Sequence, residues 1–555
     1  MSTAPKIEPE ALHFLPLGGS GEIGMNLNLY ACQGRWIMVD LGITFAGDTV
    51  PGVDVLMPDP AFIEGERDRL LAIVLTHAHE DHLGAVAYLW PRLRCPVYAT
   101  PFTAAVLREK LNDAGLIDEV PLIEVPLSGS FTLGPFALEY ITLTHSIPEP
   151  NALAIRTPFG TLLHTGDWKI DPEPLIGDVT DRAALERVGR ADVLAMICDS
   201  TNALSPGHSG SEGEVRRYLV ELVGRARAGL AVTLFASNIA RLGSVAHAAI
   251  ANGRVPVLVG RSLWRYVRAA RATGYIPEDL RFLSEDDGAA LDPSKALYIC
   301  TGCQGEPRAA MARIAGDSHP RIGLEGGDTV IFSSKIIPGN ELAIGRLQNR
   351  LVSRGIEVLT ERDHPVHVSG HPCQDELRQM YGWVRPRIAV PVHGEQRHMR
   401  EHAMIARSVQ VPEAIEIVNG QVLRLAPGPA SIIGAVHAGR LAVDGSTLLP
   451  LDHETLRARR RLKDNGAVFV TLVVDRKGAL LAEPAVSSHG VAAEEDTDPE
   501  HQEIADAVES AVDALDKKER QKEDTLREAA RLAVRRAVLK RRGKRPVIDV
   551  QLVRV

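Results

Sequence analysis

Between residues 77 and 82 the chain reads His77-Ala-His79-Glu-Asp81-His82, four potential metal ligands within six residues. They follow an apolar run at 71–75 that reads as a buried strand and precede a stretch at 83–89 that reads as a helix. Ligands released from a strand end into a tight loop have the rigid mount a metal site requires. The pattern recurs downstream, where His145 follows a strand-like run at 138–143 and Asp167 follows another at 161–164. Asp40 closes a short apolar strand at 36–40, where it can form a turn or orient metal-bound histidines from behind. One such residue after a strand is ordinarily structural, but three strand ends delivering Asp40, His145 and Asp167 weaken that reading for each.

Metal-ligand chemistry resumes at His364-Pro-Val-His367-Val-Ser369-Gly370-His371 and at His393-Gly-Glu395. Four histidines within thirty residues favour function, although one of them can be a packed core residue. We place His77, His79 and His145 on one divalent ion and Asp81, His82 and His393 on a second, with Asp167 bridging. Such donors suit two zinc ions and also admit manganese, magnesium or iron. Two ions held close together activate water at neutral pH and clamp a phosphodiester, while a nearby histidine protonates the leaving oxygen.

The elements that must hold these residues extend over a chain of 555 residues, too long for one ordinary core, so two or three domains are expected. Residues 15–22 read as a strand entering a glycine-rich turn, which is weak evidence for phosphate binding. An apolar strand at 193–198 ends in Asp199-Ser-Thr-Asn202. From about residue 210, helix-like stretches (212–223, 239–251, 341–352) alternate with short apolar strands (231–236, 256–260, 296–300, 329–333), which predicts a doubly wound parallel sheet. Its strand ends carry Ser237-Asn238, Arg261-Ser262, Thr301-Gly302 and Ser333-Ser334-Lys335, which can receive a phosphate or simply cap helices.

A helix at 374–384 and a strand at 388–392 lead into His393. Beyond about residue 432 the signals for chemistry stop. Strands at 467–474 and 479–482 flank Asp475-Arg-Lys-Gly478 as a hairpin, and the acidic stretch 492–500 reads as an exposed linker. Two helices follow, the second ending in a basic cluster at 535–545, then a strand at 548–552. That cluster is either a solvated helix end or a patch facing RNA or a subunit.

A net charge of -9 argues against nucleic-acid binding by bulk charge, but leaves room for a local basic groove. Six scattered cysteines form no disulfide framework, and residues 1–17 lack the basic head and apolar stretch of a signal peptide, so a cytoplasmic protein is expected. No apolar run approaches the length of a membrane span, and no membrane role is expected. Cys300-Thr-Gly-Cys303 is a lone CxxC, for which packing is a better reading than a zinc knuckle or redox pair.

His77-x-His79-x-Asp81-His82, together with Asp40, His145 and Asp167, resembles the metallo-β-lactamase superfamily. The inserted α/β segment followed by Ser369-Gly-His371 and His393-Gly-Glu395 resembles its β-CASP branch. More closely, the ordered motifs Gly18-Gly-Ser-Gly-Glu-Ile-Gly24, Thr76-His-Ala-His-Glu-Asp-His82, His164-Thr-Gly-Asp167, Asp199-Ser-Thr-Asn202, Phe235-Ala-Ser-Asn238, Thr301-Gly302, Ile337-Pro-Gly-Asn-Glu341 and His367-Val-Ser-Gly-His371 resemble the bacterial ribonuclease J family, from about residue 15 to 440.

The resemblance implies an αββα metallo-β-lactamase sandwich split by an inserted doubly wound β-CASP domain and followed by a small α/β carboxy-terminal domain. The expected boundaries are 1–209 and 361–432 for the lactamase domain, 210–360 for the insertion, 433–460 for a linker and 461–555 for the last domain. It implies hydrolysis of RNA from a 5′-monophosphate end, with internal cleavage as well. Asp81, Asp199 and His371 would be catalytic, the last two as acid/base residues, and Asp40 would support the ligands. Ser237, His367, Ser369, Gly370 and His371 would hold substrate phosphates. A homodimer or homotetramer and association with RNA-degrading complex proteins are expected. Histidine at 393 favours RNA over DNA, and Cys303 stands where the family pattern has serine. A DNA-processing nuclease, a hydrolase of small esters and a non-enzymatic RNA-binding subunit are the alternatives, the last two disfavoured by the insertion and by the complete ligand set.

Overall fold

The computed structural model describes residues 7–47, 50–337, 339–492 and 494–555, without the side chains of 494–496. The first six residues of the expected lactamase domain and Pro338 of the 337–341 motif lie outside the described residues. The chain divides into two compact units, one of residues 1–44 with 56–440 and one of residues 45–55 with 441–555.

The first unit is built on two facing sheets. One holds eight strands in the spatial order Ser431–Ala435, Gln421–Ala426, Leu12–Gly18, Leu27–Cys32, Arg35–Val39, Leu70–Val74, Val97–Ala99 and Leu122–Glu124. The other holds seven, in the order Ser130–Leu133, Phe136–Thr142, Asn151–Thr157, Gly160–His164, Val193–Asp199, Ile388–Val392 and Glu413–Ala414. Their inner faces bury Phe14, Tyr30, Val74, Phe136, Tyr140, Ile197 and Val390 in one core. A second core lies on the outer face of the seven-stranded sheet, where Leu185, Leu377, Met380 and Ile405 of three helices cover it. This is the expected αββα sandwich.

Strand Val193–Asp199 pairs in parallel with Ile388–Val392, Asp199 opposite Val392, although about 190 residues separate them. The intervening chain forms its own five-stranded parallel sheet, in the order Val255–Val259, Ala296–Cys300, Leu230–Thr233, Thr329–Phe332 and Glu357–Leu359. Its central strands, Leu230–Thr233, Ala296–Cys300 and Thr329–Phe332, are buried throughout, as in a sheet covered on both faces, and alternation with helices predicts this. Helices Glu212–Arg225 and Ile239–Ala251 pack on each other, and Glu341–Ser353 buries Ile344, Leu347 and Leu351. The insertion therefore leaves and re-enters the seven-stranded sheet between two neighbouring strands.

In the second unit, Ala485–His489, Ala467–Val474 and Val547–Arg554 form a three-stranded sheet covered by helices Glu494–Asp513 and Glu523–Arg542. Two expectations need correction here. The turn at 475–478 forms, with the Leu481 N–H donating to the Val473 carbonyl at 2.8 Å, but that pairing is confined to a bridge at Leu480 and Val474, and the full antiparallel partner of Ala467–Val474 is Ala485–His489. The acidic stretch 492–500 is not a structure-poor linker but enters the helix Glu494–Asp513. The basic cluster at 535–545 meets that same helix. Arg541 pairs with Glu503, and Arg542 donates to Glu500 at 3.1 Å. Residues 433–460 carry the hairpin of Arg440–Asp444 and Thr447–Pro450, then the start of helix Glu454–Asn465.

Candidate metal and phosphodiester site

Each candidate metal ligand leaves the carboxyl end of a strand of the sandwich or lies in the loop just after it. Asp40 follows Arg35–Val39, the 77–82 segment follows Leu70–Val74, His145 follows Phe136–Thr142, Asp167 follows Gly160–His164, and His393 follows Ile388–Val392. Asp199 is the last residue of its strand. Asp40 and His393 adopt left-handed backbone, with φ of 63° and 50°. That conformation is uncommon outside glycine and is kept here where it aims a side chain. Gly42 supplies the space, because a Cβ there would sit 1.7 Å from the Asp81 carbonyl oxygen. The sequence expects one helix over 83–89, whereas the structure forms a turn of helix at Glu80–Leu83 and a second helix at Val86–Leu93.

The hydrogen bonds fix which ring nitrogens carry protons. Thr76 donates its hydroxyl to Asp40 Oδ2 at 2.8 Å, so its oxygen accepts from His77 Nδ1 at 3.0 Å. His145 Nδ1 donates to the Gly370 carbonyl. His82 Nδ1 donates to Asp40 Oδ2 at 2.7 Å. A neutral imidazole carries one N–H, so Nε2 of His77 and of His145, both held neutral, presents a lone pair. His77 Nε2 and His145 Nε2 lie 3.1 and 3.0 Å from the same atom, His79 Nδ1. His82 Nε2 lies 3.1 Å from Asp167 Oδ2, and although burial disfavours its charge, Asp167, Asp81 and Asp40 raise His82 well above the usual histidine range, so this position attracts positive charge. Asp167 Oδ1 is buried and accepts no hydrogen bond. Acceptors converge in this way when a cation belongs between them, so the donor set fits metal ions.

Potential ligand atoms fall into three overlapping groups, each within 4.8 Å. They are His77, His79, His145 and Asp167, then Asp81, His82, Asp167 and His393, and last Asp167, Asp199, His371 and His393. Burial holds His77 and His145 well below the usual histidine range and brings His79 to about 4, which keeps the rings neutral as ligation requires. In the third group, His371 Nδ1 lies 2.8 Å from Asp199 Oδ2. Burial disfavours the His371 proton, but Asp199 and Asp167 outweigh it and raise the pKa. His371 thus holds a proton beside the converging carboxylates.

Several supporting residues become visible only in three dimensions. The glycine-rich turn seats His393, since the Gly24 N–H donates to His393 Nε2 at 3.2 Å and the Gly19 carbonyl accepts from its backbone N–H at 2.6 Å. Thr201 donates to Asp199 Oδ1 at 2.7 Å, with its hydroxyl 2.9 Å from His393 Nδ1. Asn26 donates to the Asp81 carbonyl at 3.1 Å. Asn202 donates to Ser369 Oγ at 2.6 Å and to the His371 carbonyl at 3.1 Å, and Lys335 reaches Asn202 Oδ1 at 3.3 Å. Asn202 and Lys335 stood in noted strand-end segments, whereas Asn26 carried no pattern of its own.

His367 stays out of the carboxylate cluster and faces Arg241, and His364 bonds to Tyr218 at 2.6 Å. Gly370 has no room for a side chain, because a Cβ would lie 2.6 Å from His145 Cε1. Ser237 is half-buried ahead of helix Ile239–Ala251, while its neighbour Asn238 caps that helix through the Arg241 N–H. Thr301 Oγ1 accepts from the Ala310 N–H at 3.3 Å, at the start of helix Ala310–Ala315. Cys300 and Cys303 are buried free thiols and join none of the ligand groups among the described residues. Burial pushes the Cys303 thiol up to about 12, in line with the packing reading.

Sandwich, insertion and strand-end donors define a metallo-hydrolase of the β-lactamase superfamily. Residues 35–232 match the beta-lactamase superfamily domain, and residues 355–412 match the Zn-dependent metallo-hydrolase RNA specificity domain. Residues 227–351 match the ribonuclease J beta-CASP domain, and residues 454–555 the ribonuclease J C-terminal domain. A ribonuclease J of Sinorhizobium meliloti is 44% identical over 99% of this chain and 98% of its own. One from Mycolicibacterium smegmatis is 40% identical over 93% and 92%, and one from Thermus thermophilus 37% over 83% and 82%. The chain belongs to the ribonuclease J family. A solved structure of a protein of unknown function from Enterococcus faecalis V583 aligns with a TM-score of 0.50 at 16% identity, over 75% of this chain and 100% of that one, which bears on the fold alone.

Proposed function

We propose that this protein is a metal-dependent ribonuclease that hydrolyses RNA from a 5′-monophosphate end and also cuts internally. The observation that carries this reading is the convergence of unprotonated histidine nitrogens and carboxylates beside the protonated His371–Asp199 pair. Family membership supplies the substrate class, and the match of residues 355–412 to an RNA specificity domain supports RNA over DNA.

In this reading His77, His79 and His145 would hold one ion and Asp81, His82 and His393 the other, with Asp167 belonging to both groups. Two zinc ions suit the donors, with manganese or magnesium as substitutes. When bound, the ions lower the pKa of water and neutralise charge on the scissile phosphate. Asp40 orients His82 directly and His77 through Thr76. His371, held at Nδ1 by Asp199, gives its proton from Nε2 to the leaving oxygen. Asn202 and the Gly370–His145 bond shape the 369–371 loop. Ser237, His367, Ser369, Gly370 and His371 contact substrate phosphates.

No helix among the described residues is long and apolar enough to cross a membrane. The six free cysteines suit a reducing compartment, and we place the protein in the cytoplasm. A homodimer or homotetramer, associated with other RNA-degrading proteins, is the assembly we propose. The deciding experiment incubates the purified, metal-loaded protein with short RNA bearing a 5′-monophosphate, 5′-triphosphate or 5′-hydroxyl, and with matched DNA. Mononucleotides should appear first from the monophosphate RNA. Equal decay of all three RNA ends, or of the DNA, refutes the assignment.

A further inference from the structure

His367 Nδ1 lies 3.3 Å from Nη1 of Arg241, a residue on the first turn of helix Ile239–Ala251 in the inserted domain. Arg241 is 0% exposed. Its Nε and Nη2 donate to the two carboxylate oxygens of Glu212 at 3.1 and 2.9 Å. Its Nη1 reaches the Ser333 carbonyl at 3.2 Å, Ser333 Oγ at 2.8 Å and the Val366 carbonyl at 2.8 Å. Ser333 donates its hydroxyl to that same Val366 carbonyl at 2.7 Å. One buried guanidinium thus joins helix Glu212–Arg225, the end of strand Thr329–Phe332 and the start of the loop that carries His367, Ser369 and His371.

A guanidinium has donors only and keeps its charge in proteins. A proton on His367 Nδ1 would point at the N–H of Nη1, so Nδ1 presents its lone pair there. The single proton of the neutral ring is then on Nε2, a nitrogen with no hydrogen-bond partner among the described residues. We propose that Arg241 is a positioning residue that locks His367 as the Nε2–H tautomer, so that the loop turns a hydrogen-bond donor toward a phosphate oxygen of the RNA 5′ end. This rests on the reading of His367 as a phosphate contact. Phosphate oxygens mainly accept, so the opposite tautomer would set a lone pair against them. Burial, and next the Arg241 charge, hold His367 well below the usual histidine range, which keeps the ring neutral. Glu212 balances the guanidinium, so the lock does not leave an unpaired charge in the interior.

Two variants test this in the full chain. Arg241→Lys keeps a cation beside Glu212 but lacks the planar fork that reaches both Val366 and His367. The double variant Glu212→Gln with Arg241→Met removes both charges together. Thermal melts and metal content show that each variant is folded and loaded. With ring-¹⁵N histidine, and His367 assigned by its loss in His367→Gln, two-bond ¹H–¹⁵N spectra should show the Nε2–H tautomer in the wild type and a mixture in both variants. The kcat/KM on 5′-monophosphate RNA should fall about tenfold, mostly through KM, the loss expected for one hydrogen bond to a charged group. The 5′-hydroxyl RNA should change less than about twofold, because it lacks that phosphate. An Nδ1–H ring or an imidazolium in the wild type overturns the lock. Equal losses on both RNA ends also overturn it, since Arg241 then serves the fold alone. A wild type with no preference for the 5′-monophosphate overturns the phosphate reading itself, and wild-type kinetics alone reveal that case.

Discussion

Asp40 and Thr76 govern more of the site than their distance from the substrate suggests. One carboxylate accepts from His82 Nδ1, from the Thr76 hydroxyl and from the Thr76 N–H, and so aims two histidines at once. Asp40→Asn retains the shape but loses the charge, and we expect a roughly 10–100-fold loss of metal affinity or activity, measured by metal titration and RNA hydrolysis. His77→Ala removes a candidate ligand outright. Hydrolysis should fall by more than about 100-fold while RNA binding is partly retained, which a filter-binding assay checks; unchanged RNA decay would point to a non-enzymatic subunit instead. Gly370→Ala places a Cβ against the His145 ring. A shift near 1 Å in that ring should cost on the order of 100-fold in kcat, with a modest change in melting temperature. Residue types and spacing made the candidate ligands legible, but not Asn26, nor the contacts by which Thr201 meets His393 and Gly370 meets His145, which depend on a neighbour distant in sequence.

At the scale of elements, parallel pairing of Val193–Asp199 with Ile388–Val392 sets Asp199 beside His393. Apolar runs and their terminal polar residues announced these strands, and the helix and strand alternation announced the inserted sheet. Register and partner were not announced, because an apolar strand buried on both faces pairs equally well with many others. The same limit explains the misplaced partner of Ala467–Val474. Acidic 492–500 and basic 535–545 read as separate surface features, yet Glu500 and Glu503 meet Arg542 and Arg541 on adjoining helices. Local charge density does not reveal a partner 40 residues away. In the inserted sheet, Arg254 donates to the carbonyls of Ala226, Ala228 and Ala296 at 2.9 Å each, tying together the starts of neighbouring strands. Arg254→Leu leaves those carbonyls without their donor and should cost about 2–3 kcal/mol in urea unfolding. A change below about 0.5 kcal/mol would show the clamp to be dispensable.

For the molecule as a whole, two units with separate cores are expected to melt in two steps. All the candidate ligand atoms belong to residues of the first unit, so chelation should lower that unit's transition in calorimetry and leave the other in place. A ligand present at about 100-fold its dissociation constant stabilises by roughly 2.7 kcal/mol, enough for a clear shift. A single transition, or one in which both steps move together, would contradict this independence. The sequence by itself determined the types of the candidate ligands and the strand ends that bear them, because hydrophobic period and side-chain chemistry are local properties, while the interruption of one domain by another was implied by the family resemblance. Only the tertiary structure decided which nitrogens keep their protons, how His371 comes to face Asp199, and that His367 faces Arg241 rather than the ligand cluster. Those outcomes depend on distances between segments up to 225 residues apart, which long-range packing sets and local pattern does not encode.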